Sequence, residues 1–118
     1  MGNNLIANNL YHPAVDWING SSMAATINSP IESIQPLTCF AIQSNWTGFT
    51  GDAGARITTY GSNDGITFTS VDAVAPTGTT GSYLLNVEKA GYRFVKVIYT
   101  QTTTPTGSLF VSISGKAI

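Results

Sequence analysis

Gly61-Ser62-Asn63-Asp64-Gly65 puts turn-forming residue types between two runs that read as strands, and no other stretch constrains the fold as much. Upstream, residues 55–60 (Ala-Arg-Ile-Thr-Thr-Tyr) are rich in β-branched and aromatic side chains; downstream, residues 66–71 (Ile-Thr-Phe-Thr-Ser-Val) alternate apolar with polar. Asn63 and Asp64 tolerate positive φ and bond their own backbone, while Gly65 takes a left-handed conformation without steric cost. An antiparallel ribbon pairing 55–60 with 66–71 is therefore predicted at the centre of the chain.

The flanking sequence extends the β pattern. Strands are predicted over 23–28, 31–34, 39–46, 82–87, 92–100 and from Leu109 to near Lys116. In 39–46, Phe40 and Ile42 alternate with Gln43 and Asn45; in 92–100, Val95, Val97 and Tyr99 line one face; Leu109, Val111 and Ile113 alternate in the last strand. Tyr99 is expected to face Leu109 or Val111 across a hairpin. Residues 47–54 and 71–81, glycine-containing and polar, read as loops suited to contact with a partner. Seven or eight short strands without a convincing helix predict an all-β antiparallel sandwich or jelly roll.

Residues 1–20 do not fit the alternation. Asn-Asn-Leu occurs at 3–5 and 8–10, followed by Tyr11, His12, Pro13, Trp17 and Ile18, with neither helical nor strand period. A frayed leader is one reading. The preferred one is an extended N-terminal arm over 1–20 that lays Leu5, Leu10, Tyr11 and Trp17 on a neighbour, with a β-sandwich domain over 21–118.

Composition narrows the function. Of 118 residues only 9% are Asp, Glu, Lys or Arg and the net charge is −1, against about 25% charged residues in ordinary domains. That balance lacks the basic footprint of a nucleic-acid binder, and a neutral, hydroxyl-rich surface offers little repulsion between copies. Neither a secretory leader nor an apolar span of membrane length is read in the sequence. The Asn-x-Ser/Thr matches at Asn19 and Asn45 read as chance in a chain rich in Asn and Thr. Cys39, the single cysteine, sits among Leu37, Phe40 and Ile42 and is expected to be a buried thiol.

Catalytic chemistry finds few candidates. His12 is the single histidine, so the usual zinc site cannot be built. Asp52 and Asp64 flank the 55–60 strand at opposite ends and do not suit a paired acid and base. Asn63 and Asp64 offer too few oxygens for a calcium loop. No phosphate-binding glycine motif or nucleophile elbow occurs, so no enzyme activity and no cofactor are expected. Sugar binding is the alternative that the residues leave open: Trp46, Tyr60 and Tyr83, beside Asn63 and Asp64, could serve a carbohydrate-binding module, although core or interface packing is the favoured reading of each aromatic.

Four blocks occur in order: 39–48 (Cys-Phe-Ala-Ile-Gln-Ser-Asn-Trp-Thr-Gly), 60–65 (Tyr-Gly-Ser-Asn-Asp-Gly), 92–100 (Tyr-Arg-Phe-Val-Lys-Val-Ile-Tyr-Thr), and a last strand reaching Lys116 after a turn with Gly107. Across residues 39–116 this order resembles a family of small tailed-bacteriophage structural proteins. The resemblance implies a non-enzymatic virion component, a capsid decoration or other auxiliary protein or a tail or neck component. It would assemble in multiple copies with other virion proteins, bind neither nucleic acid nor membrane, and be located in the virion. Under the alternative, the module serves host attachment through a glycan held by Trp46, Asn63, Asp64 and Tyr83.

Overall fold

A computed structural model describes residues 11–34, 39–88 and 90–116, with backbone alone for 11–15 and 116. The chain is an all-β sandwich of two antiparallel sheets. Its strands are β1 (Tyr11–Ser22), β2 (Ile27–Asn28), β3 (Glu32–Ser33), β4 (Cys39–Thr47), β5 (Arg56–Ser62), β6 (Thr69–Val74), β7 (Gly81–Val87), β8 (Phe94–Thr100) and β9 (Ser108–Lys116). One sheet has the order β1-β9-β4-β7; the other has the order β2-β8-β5-β6, with β3 also on β8. Because β2 and β3 lie along one side of β8, they act as a single strand interrupted at Ser29-Pro30. Counted that way, eight strands cross between sheets at every connection but the β5–β6 hairpin, which is the jelly-roll arrangement.

Alternation builds the core. Phe40, Ile42, Ser44 and Trp46 of β4 and Leu109, Val111 and Ile113 of β9 point inward from one sheet; Ile57 and Thr59 of β5 and Val95, Val97 and Tyr99 of β8 point inward from the other. These four strands hold the central positions of the two sheets. Tyr99 pairs with Ile57 and Ile27 within its own sheet, so the expected hairpin with Leu109 or Val111 does not form. Those residues belong to the opposite sheet, and Tyr99 shares the intersheet core with them. Its hydroxyl donates to the Met23 carbonyl at 2.9 Å, which satisfies a phenol that would otherwise be buried unpaired.

The segment 11–20 is not an arm. It forms most of β1, paired along β9 from Tyr11↔Lys116 to Ser22↔Ser108, and Trp17 and Ile18 are both buried in the chain's own core. The missing period has a physical cause: the β1–β9 register shifts between His12 and Val15, Asp16 and Ile18, and Asn19 and Ser21. Each bulge reverses which face the following side chains take, so strict alternation is lost although the strand is real. Two further boundaries move. Met23 begins a turn instead of a strand, its N–H bonding the Gly107 carbonyl at 3.0 Å, and the strand within 66–71 begins only at Thr69, ending at Val74. The loop expected over 71–81 is correspondingly confined to 75–80.

Ser29 repairs the interruption at Pro30. Its N–H donates to the Val97 carbonyl at 2.9 Å, its Oγ accepts the Val97 N–H at 2.8 Å, and its hydroxyl donates to the Pro30 carbonyl at 2.9 Å. Ser29→Ala leaves the buried Val97 N–H without that acceptor and is expected to cost about 1–3 kcal/mol, measured as a shift in urea unfolding; a change within a few tenths would contradict this role.

Candidate functional site

The Ser62-to-Gly65 turn organises one end of the second sheet. The Ser62 hydroxyl donates to Asp64 Oδ1 at 2.8 Å and its oxygen accepts the N–H groups of Asp64 and Gly65 at 3.2 and 3.0 Å. Asp64 Oδ1 then accepts the Ile66 and Thr67 N–H groups at 2.9 and 2.8 Å. Capturing those two donors keeps them out of the β5–β6 ladder, which explains why β6 starts late and why Ile66 stands 84% exposed in the loop. Of the turn residues only Gly65 has positive φ, at 74°.

Beside this turn lies an open groove of about 370 Å³, lined by Asn63, Asp64, Thr67, Thr69, Val71 and Tyr92 among others. Two of the four residues proposed for a glycan, Asn63 and Asp64, meet there; the other two do not. Trp46 is 3% exposed, belongs to the core, and donates its Nε1–H to the Thr77 carbonyl at 3.1 Å. A sugar has no access to that ring, because β4 alternation turns it inward. Tyr83 also leans on the core, and its hydroxyl donates to Asp72 Oδ2 at 3.0 Å. Tyr60 shares Lys96 with Phe68, the ammonium standing 5.7 and 4.3 Å from the two ring centres.

The Tyr83–Asp72 bond joins β7 to β6 and so ties the two sheets along one side of the sandwich. Trp17 Nε1–H, donating to Glu32 Oε1 at 3.2 Å, does the same for β1 and β3 on the other side. Trp17 is thus committed within the chain and unavailable to a neighbour. Leu5 and Leu10 lie outside the described residues, as does the Tyr11 side chain. The His12 backbone pairs with Gly115 within β1. Cys39 is buried at the start of β4, as its apolar neighbours predicted.

Asp52 fastens the loop after β4 to the loop after β8. Its Oδ2 accepts the Thr102 and Thr103 N–H groups at 2.7 and 2.9 Å, and its Oδ1 accepts the Gly54 N–H at 3.0 Å together with the Thr102 hydroxyl. Thr106 N–H to Thr50 Oγ1, at 2.9 Å, reinforces the same contact. Asp52 and Asp64 are therefore separate loop-building carboxylates. Among the described residues no three His, Cys, Asp or Glu side chains converge as a metal site would require.

Both carboxyls are held in the anionic form. The Thr102 hydroxyl and then the Thr103 N–H push Asp52 well below the usual range, and the Ile66 and Thr67 N–H groups hold Asp64 at about 2 instead of 3.8. Since the folded values lie below the unfolded ones, the stabilisation is complete above the unfolded value and is lost as pH falls through the folded value. Thermal midpoints are expected to drop as pH falls from 3.8 towards 2, and to drop less in the Asp52→Asn/Asp64→Asn double variant. Equal slopes for the two proteins would remove these carboxylates as the cause.

The outer face of the β1-β9-β4-β7 sheet spans four strands. The register places Leu84, Gln43, Ser112 and Asp16 in one row and Ser82, Asn45, Phe110 and Asn19 in the next. Asp16 alone among these is charged, and Leu84 and Phe110 are exposed apolar groups. The sequence signal for this face was available in the uncharged alternate positions of β4, β7 and β9, but the sheet order needed to join them was not.

No protein-family description and no curated protein matches the sequence. Among solved structures, a chain of Bacillus endospore appendages, described as forming a novel family of disulfide-linked pili, is similar at TM-score 0.48 and 18% identity, over 93% of this chain and 91% of that one. A likeness of that strength carries no functional argument.

Proposed function

We propose that this chain is a non-enzymatic structural protein of a tailed-bacteriophage virion, a capsid decoration or auxiliary protein or a tail-neck component, that assembles in multiple copies. The observation that carries the assembly part is the outer sheet face with Asp16 as its one charge in two rows of amide, hydroxyl and apolar side chains. Covering such a face desolvates no charge beyond that edge carboxylate, and charge depletion with aromatic content is what the buried centres of protein interfaces share. The virion part rests on the resemblance of the four sequence blocks. Those blocks supply β4, the end of β5 with its turn, β8 and β9, the central strands of both sheets. A jelly roll is an architecture that viral capsid domains use, as do lectins and cupins.

Antibody raised against the purified chain should label gradient-purified phage particles from the source strain in immunogold micrographs, at many sites per particle. Label confined to soluble fractions, with bare particles, would overturn the virion assignment.

A further inference from the structure

We propose that β7 is the edge through which two copies of this chain join, strand to strand and antiparallel, about a two-fold axis at Leu84. This deepens the assembly reading and rests on it. An edge strand carries a row of N–H and C=O groups without a partner strand, and folded proteins guard such edges with bulges, prolines, charges or short length.

Three of the four sheet edges here are guarded in those ways. β1 has irregular register in three places and contains Pro13 and Asp16. β2 and β3 have two residues each and are separated at Pro30. β6 is bulged opposite Thr59 and Tyr60 and carries Asp72.

The β7 edge has none of these devices. Its 7 residues, Gly-Ser-Tyr-Leu-Leu-Asn-Val, include no charge and no proline. They pair with β4 in continuous register from Phe40↔Val87 to Trp46↔Gly81, without a bulge, so the strand presents a straight backbone on its other side. Among the described residues no strand takes that side. At its centre Leu84 is 61% exposed on the outer face.

The strand fits a second copy of itself. An antiparallel pair centred on Leu84 sets Leu84 against Leu84 of the second copy, and Ser82 against Asn86, on the outer face. On the inner face it sets Tyr83 against Leu85 and Gly81 against Val87. Each apolar group meets an apolar group, each polar group a polar one, and no like charges meet, not even at the axis position, where a charged residue would face its own copy. About six to eight backbone hydrogen bonds would form across the axis, joining two four-stranded sheets into one.

Native mass by light scattering, across a dilution series of the full chain, tests this. The wild type should show twice 12.4 kDa or a multiple of it. Leu84→Lys should weaken self-association by about tenfold or more, because like charges would face each other across the axis. The register is tested by Ser82→Lys/Asn86→Lys, which should dissociate the pair, and Ser82→Lys/Asn86→Glu, which should restore it. Hydrogen exchange on the wild type, with β7 amides slow when concentrated and fast when diluted, decides the matter if a variant fails to fold. An oligomer that all three variants leave unchanged overturns the β7 edge and spares the assembly reading. A wild type that stays monomeric, with β7 amides indifferent to concentration, overturns the edge as well, and immunogold labelling then decides the assembly reading separately.

Discussion

A chain that begins at Ser21 is expected to lose its cooperative unfolding transition, whereas one that begins at Tyr11 keeps it. The first truncation removes nearly all of β1, and with it the ladder to β9 from Tyr11↔Lys116 to Asn19↔Phe110. It also removes Trp17 and Ile18 from the core, along with the Trp17–Glu32 bond that ties the sheets on that side. Deleting one buried Trp side chain costs about 3–5 kcal/mol and one Ile about 2–5, against a total stability of about 5–15 kcal/mol for a typical domain. The loss of hydrogen bonding along β9 adds to that. The second truncation leaves every described strand in place. Urea titrations followed by tryptophan fluorescence distinguish the two, since Trp46 is present in both. A sigmoidal transition at the wild-type midpoint from the chain beginning at Ser21 would show that β1 is dispensable.

Trp46→Ala is expected to lower stability by about 3–5 kcal/mol, making it among the most damaging single substitutions in the chain. The ring is buried between β4 and the start of β7, where an added Cβ at Gly81 would lie 2.6 Å from its Cζ2. A glycine at 81 is therefore what lets the indole lie flat across the partner strand, and its Nε1–H completes the site by bonding the Thr77 carbonyl. Denaturation midpoints of the variant measure the loss, and a cost under 1 kcal/mol would be inconsistent with this packing. The same result bears on carbohydrate binding: reduced glycan retention by Trp46→Ala would report unfolding, so any such test belongs at Asn63, which is exposed on the groove.

The regular half of the fold was legible because β4, β8 and β9 keep strict alternation, which binds sequence directly to burial. β1 was hidden because bulges destroy that correspondence: Trp17 and Ile18 are neighbours in sequence and both face the core. The start of β6 was misplaced because Asp64 takes two backbone donors that the apolar alternation of 66–71 assigns to the ladder. Sheet order, and with it the separation of Tyr99 from Leu109, depends on which strand crosses to which sheet, and local pattern is silent on that. For the candidate site, Asn63 and Asp64 share a surface because they sit in one turn, while Trp46 and Tyr83 pack against the core, the reading that their alternation favours over stacking on a sugar. Edge exposure at β7 follows from topology, so Leu84 could be recognised only after the strands were ordered.

The pairing of β1 with β9 has a consequence for how the chain reaches this state. During synthesis β1 waits for β9, since its entire described ladder is made with residues 108–116. Until β9 emerges, Trp17 and Ile18 have no sheet to complete, and β4 lacks its partner on one side. Chains dominated by such distant pairings fold in milliseconds to seconds, well behind helical proteins of the same size. During that interval unpaired apolar strands are open to neighbouring nascent chains. A high density of polysomes translating this message would favour misassembly, and slower synthesis or lower temperature should raise the soluble yield.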